Sequence, residues 1–180
     1  LSTAAIGRPE RTISIIRTYT MPNFKLLLKA TLENIEYVEV ASPDWFHFKV
    51  ECGSCRTVSP KSIGVSTTET VEVGRATVNL AYTCPECKRA GSITIVKHSL
   101  KAVTVEQNEQ WSQVVELECR GIEPVEPELF GTTWTATPTD GAAPFKDISL
   151  EDDWADYDTK NDCAVSILNP ELKFEVSRGK

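Results

Sequence analysis

The sequence predicts an all-β chain built as two related β subdomains of sandwich or barrel type, with a four-cysteine metal site joining two C-x-x-C turns. Three observations carry this reading. Apolar residues recur at every second position in several segments, which is the period of a half-buried strand. No segment sustains the 3.6-residue period of an amphipathic helix. Four of the six cysteines fall in two C-x-x-C pairs, each following a strand-like segment.

The elements follow in chain order. Phe24, Leu26, Leu28, Ala30 and Leu32 share one face, and Lys25, Lys29, Thr31 and Glu33 the other, with Leu27 breaking the pattern. Trp45–Glu51 alternates in the same way, with Phe46, Phe48 and Val50 inward and His47 outward. Gly64–Val73 and Gly74–Thr83 read as two strands, the second carrying Ala76, Val78, Leu80 and Tyr82 on one face. Ile93–Lys97 and Val114–Cys119 are β-branched or apolar segments bounded by turn formers. Glu106–Trp111 and Leu150–Tyr157 read as single turns. Gly121–Pro144, rich in Pro, Gly and Thr, reads as a long irregular connection.

A weak echo links the halves. Leu28-Lys29-Ala30 leads to Val50-Glu51-Cys52-Gly53, and Leu100-Lys101-Ala102 leads to Leu117-Glu118-Cys119-Arg120-Gly121. The expected division is a zinc-bearing subdomain over 21–98 and a second, metal-free subdomain over 99–180. Residues 1–20 read as a non-native or disordered extension, with Met21, the sole methionine, as the natural start. Arg8, Arg11 and Arg17 give that stretch a faint likeness to a transit peptide.

Composition narrows the function classes. No run of eighteen apolar residues occurs, so no segment reads as a membrane-spanning helix. The formal charge of −7 and pI of about 5.0 argue against nucleic acid, whose phosphates call for a basic face. With no secretory signal peptide, paired C-x-x-C reads as metal binding in a reducing compartment. The expected location is therefore the cytoplasm, with the nucleus also open to a chain of this kind, and the expected state is a monomer.

Cys52-Gly53-Ser54-Cys55 and Cys84-Pro85-Glu86-Cys87 are separated by 28 residues. A C-x-x-C turn presents two sulfurs on one side of a tight loop, so two such turns on neighbouring strands complete a tetrahedral shell for Zn²⁺. The same ligands also suit an iron centre or copper(I). Thiol–disulfide chemistry would want a helix after the first cysteine of a C-P-x-C pair. Here a strand follows instead. A catalytic zinc would need an open position and a general base, and His47 and His98 read as ordinary surface or rim residues. No catalytic motif is present, so the expectation is a protein that is not an enzyme.

Taken in order, Leu28–Ile35 (LKATLENI), the two cysteine pairs, Val115–Val125 (VELECRGIEPV) and Asp147–Leu150 leading to Asp153–Asp158 form a specific signature. From about Phe24 to Val176 the chain resembles the eukaryotic CXXC-motif-containing zinc-binding protein family. That resemblance implies an all-β architecture of two related subdomains and zinc on Cys52, Cys55, Cys84 and Cys87. It also implies a link to copper handling, through contact with heavy-metal-associated domains like those of copper chaperones. The residues themselves show no copper site.

Three further features carry structural expectations. Asp152–Asp158 reads as an acidic turn anchored by Trp154 and Tyr157 packing inward. Cys119 reads as a buried core residue, and Cys163 as a thiol without activation. Arg120 is expected to pair with a carboxylate, such as one from the Asp-rich segment. The functional expectation is a non-enzymatic, zinc-stabilised adaptor that recognises a protein partner. The alternative is a metal-handling protein linked to copper-chaperone domains.

Overall fold

The computed structural model describes residues 22–41 and 44–177, and the expectations about residues 1–20 and Met21 lie outside these. The described residues are mostly strand, with two single-turn 3-10 segments and no longer helix. In order the strands are β1 (Asn23–Glu33), β2 (Ile35–Val40), β3 (Trp45–Cys52), β4 (Ile63–Ser66) and β5 (Val71–Val73). There follow β6 (Ala76–Val78), β7 (Leu80–Thr83), β8 (Ala90–Ile95), β9 (Val103–Thr104) and β10 (Ser112–Arg120). The last five are β11 (Ile122–Glu128), β12 (Thr133–Pro138), β13 (Phe145–Ser149), β14 (Trp154–Asp158) and β15 (Cys163–Ser177). Among the described residues no helix is long and apolar enough to cross a membrane.

A six-stranded sheet runs β14-β15-β1-β10-β8-β7. A three-stranded sheet runs β11-β3-β4, a four-stranded one β13-β12-β2-β9, and β5 and β6 form a small hairpin. Each of the three larger sheets draws strands from both sides of residue 98.

The alternation in β1 buries Phe24, Leu26, Leu28, Ala30 and Leu32, as its period demands. Leu27, which faces the other way, is buried too, and beside it the register against β10 shifts between Leu26 and Leu27. Val114 is the extra residue of that bulge, so it and Val115 are both buried. In β3 the inner face is Phe46, Phe48, Val50 and Cys52. Phe46, Phe48 and Val50 join Leu117, Trp134 and Ile167 in one continuous core.

Chain corners carry the path from sheet to sheet. Between β1 and β2 the single residue Asn34 takes a left-handed conformation (φ 56°), and its amide donates to the carbonyl of Ala164 at 2.8 Å. Between β10 and β11 the single residue Gly121 does the same at φ 70°. Asn and Gly tolerate this backbone region best.

Three expectations are corrected. Gly121–Pro144 is no irregular connection, since it contains β11 and β12. Pro124 and Pro127 disguise β11, yet β11 is the edge of its sheet, where a missing N–H costs no ladder bond. In β12 Trp134, Ala136 and Pro138 are buried while the intervening threonines are half-buried, a weak alternation hidden by threonine content. Leu150–Tyr157 contains the start of strand β14 rather than a turn. On that edge strand the Asp156 carboxylate accepts the Tyr157 N–H at 2.7 Å, a local bond that blunts the open edge. Trp154 does pack inward, edge-on to Phe145 with centroids 5.2 Å apart. Tyr157 does not: it is 48% exposed and its hydroxyl donates to Asp162 at 2.6 Å.

Candidate metal centre

Cys52 is the last residue of β3, and its C-x-x-C turn folds back so that the Cys52 N–H donates to Thr57 O at 2.9 Å. Cys84 follows β7 directly, and its N–H donates to Arg89 O, also at 2.9 Å. The match continues bond for bond. Arg56 N–H donates to Cys52 O at 2.9 Å, and Lys88 N–H to Cys84 O at 3.0 Å. The residue after each second cysteine is left-handed, with φ 61° at Arg56 and 60° at Lys88. The two turns are structural duplicates.

The duplicates do not sit on neighbouring strands of one sheet, as the sequence suggested. The first closes β3 of the three-stranded sheet, and the second connects β7 to β8 in the six-stranded sheet. The centre therefore straddles the seam between two sheets. Three glycines allow the approach. A Cβ on Gly53 would lie 3.3 Å from Gly121 O, one on Gly121 3.0 Å from Ala90 O, and one on Gly91 2.7 Å from Ile122 Cγ2.

All four sulfurs lie within 4.8 Å of one another. Across the turns, Cys52 Sγ and Cys87 Sγ are 3.6 Å apart, and Cys55 Sγ and Cys84 Sγ 3.5 Å. A disulfide would need about 2.05 Å. A tetrahedron with Zn–S bonds of about 2.3 Å has edges of about 3.8 Å, so the cluster fits a single four-coordinate ion. Among the described residues these four form the one group of Cys, His, Asp or Glu side chains arranged to share a metal.

The surroundings already favour thiolates. Backbone N–H groups of Cys55 and Ser54 hold the Cys52 thiol below its ordinary value. The Thr57 hydroxyl, with the Thr57 N–H, holds Cys55 down at about 6. At Cys87 the Arg89 N–H pulls downward, but burial and the three sulfurs around it push the thiol up to about 11. Four thiols crowded this closely cannot all ionise without a cation among them, which is the role a dication fills. Tyr82, raised by burial and by the charges of Cys84, Cys52 and Cys55, borders the cluster.

The nearby cations are otherwise engaged. Arg56 pairs with Glu51 at 2.7 Å and lies 3.8 Å from Glu123. Lys88 donates to the Pro85 carbonyl, and Arg89 reaches across to Ser54 Oγ at 2.9 Å. Arg120 pairs with Glu118 on its own strand at 2.7 Å, not with the Asp-rich segment. Cys119 is buried and Cys163 half-buried, both free and outside the cluster. His98 is exposed, while His47 is half-buried between Gly64 and Gly131 with its Nδ1 unpartnered. Sequence reasoning missed the left-handed Arg56 and Lys88 because neither residue type announces that conformation. It missed Thr57 and Arg89 because no spacing rule marks a residue that touches a ligand.

A family model described as "CXXC motif containing zinc binding protein, eukaryotic" matches residues 25–175. The mouse (Mus musculus) CXXC motif containing zinc binding protein is 34% identical over 160 residues, covering 86% of this chain and 98% of that protein. The human (Homo sapiens) protein of that name is 35% identical with the same coverage. Among solved structures, the crystal structure of C1orf123 superposes with a TM-score of 0.79 at 34% identity, covering 85% of this chain and 98% of that one.

Proposed function

We propose that this chain, which belongs to the eukaryotic CXXC motif containing zinc binding protein family, holds one zinc ion on Cys52, Cys55, Cys84 and Cys87 as a structural centre. The observation that carries the reading is the convergence of two duplicate turns from different sheets on one cluster of four sulfurs. Four thiolates fill a zinc shell and leave no position for substrate or water. Bound zinc would neutralise part of the thiolate charge and cross-link the two sheets.

The protein is then a non-enzymatic interaction module, its β scaffold fixed by metal and its surface offered to a protein partner. Trp45 (40% exposed), on the same face of β3 as His47, and Phe130 (65% exposed), the chain neighbour of the Gly131 that approaches His47, support the partner reading. The test is elemental analysis of purified protein before and after chelator challenge, with the fold followed by circular dichroism. One zinc per chain, lost only as the β signal collapses, supports the structural reading. Metal leaving a folded chain, or copper copurifying, would move the protein to metal handling and point to copper-chaperone domains as partners.

A further inference from the structure

The four ligands are unequally protected. Cys52 and Cys84, the first cysteine of each turn, are each 1% exposed. Cys87 is half-buried, and Cys55 alone of the four is exposed. A sulfur packed on all sides cannot swing away from a metal, so ligand exchange with an outside thiol or chelator begins at Cys55.

The protein's contacts converge on that corner. Thr57 and Arg89 occupy equivalent places, each two residues after the second cysteine of its turn. They are used differently. A hydrogen bond joins Thr57 Oγ1 and Cys55 Sγ at 3.3 Å, and with Cys55 as thiolate the hydroxyl is the donor. Arg89 leaves its own turn and donates to Ser54, the neighbour of Cys55, at 2.9 Å. Both side chains thus steady the first turn at its exposed end.

We propose that Thr57 is a positioning residue that sets how long the metal stays bound, by holding Cys55, the ligand through which the ion leaves. This rests on the zinc reading above. Groups that hydrogen-bond a metal's ligands typically alter affinity by about 10- to 100-fold when removed. The Thr57 backbone carbonyl, which accepts the Cys52 N–H, is a separate contact that a side-chain change leaves in place.

The experiment is zinc release from the full chain to a chromogenic chelator, comparing wild type with Thr57→Val, Thr57→Ala and Thr57→Ser. Removing the hydroxyl is expected to speed release about 10-fold while the β signal is unchanged, and Thr57→Ser is expected to restore the slow rate. Release at the wild-type rate from folded Thr57→Val or Thr57→Ala overturns the proposal. A second measurement needs no variant: mass-mapped alkylation of the zinc-loaded protein should label Cys55 before Cys52, Cys84 and Cys87. Another ligand labelled first overturns the proposal as well. Wild-type protein that holds no zinc would instead sink the underlying reading, and this one with it.

Discussion

Gly53 donates its backbone N–H to the carbonyl of Gly121 at 3.0 Å, so the first cysteine turn is bonded to the β10–β11 corner. That corner in turn presses on Ala90 and Gly91 at the start of β8, just beyond the second cysteine turn. The corner is wedged between the two turns that carry the sulfurs.

Gly121 is left-handed, and an added Cβ would meet a backbone oxygen at 3.0 Å. Gly74 is left-handed as well, but has nothing within 4 Å. Gly74→Ala should therefore show only the conformational cost, about 1 kcal/mol. Gly121→Ala adds a clash with backbone and should lose about 2–4 kcal/mol. Urea unfolding of both zinc-loaded variants checks the order. Equal losses would mean that the wedge contributes nothing.

Each of Cys52→Ser, Cys55→Ser, Cys84→Ser and Cys87→Ser is expected to bring zinc from one per chain to near zero. Cys163→Ser should keep full occupancy, since that thiol lies outside the cluster. Metal analysis of the five variants tests the assignment. Full zinc retained in any of the first four would remove that residue from the ligand set.

Burial pushes the Cys119 thiol up to about 12, with Glu123 and Glu118 adding to the shift, from an ordinary value of 9.0. Between these values the unfolded chain sheds the proton and the folded chain keeps it. Stability from this group is intact below pH 9 and falls as pH rises toward about 12. Cys119→Ala should cost about 1 kcal/mol at neutral pH and flatten the alkaline decline relative to wild type. Urea midpoints measured below and inside that window make the comparison. An unchanged alkaline slope in the variant would place the titration elsewhere.

Asp44 is buried and accepts hydrogen bonds from the Trp45 N–H and from both the N–H and the hydroxyl of Thr133. It ties the start of β3 to the start of β12, linking two sheets. Asp44→Ala strands these donors and should cost about 2–4 kcal/mol by chemical denaturation. A loss below about 0.5 kcal/mol, the scale of an ordinary surface change, would show that water replaces the carboxylate.

What was legible in the sequence was local. The inner faces of β1 and β3 follow from a period of two, and the grouping of four cysteines from two C-x-x-C pairs. Segments whose local chemistry argued against their structure were misread. Pro124 and Pro127 speak against a strand, and only the edge position of β11 makes them tolerable. The aspartates of β14 speak for a turn, and pairing with β15 overrides them.

The sequence by itself determined which atoms can hold a metal, because a C-x-x-C turn is short enough to fix two sulfurs without help from the rest of the chain. Tertiary structure alone decided where the four sulfurs meet. The turns belong to different sheets, and their meeting depends on Gly53, Gly91 and Gly121 approaching at backbone distance. It also decided that Cys55 is exposed while Cys52 and Cys84 are not. Spacing along the chain limits which ligands can share an ion, whereas burial and contact arise from strand pairings tens of residues apart, which no local pattern encodes.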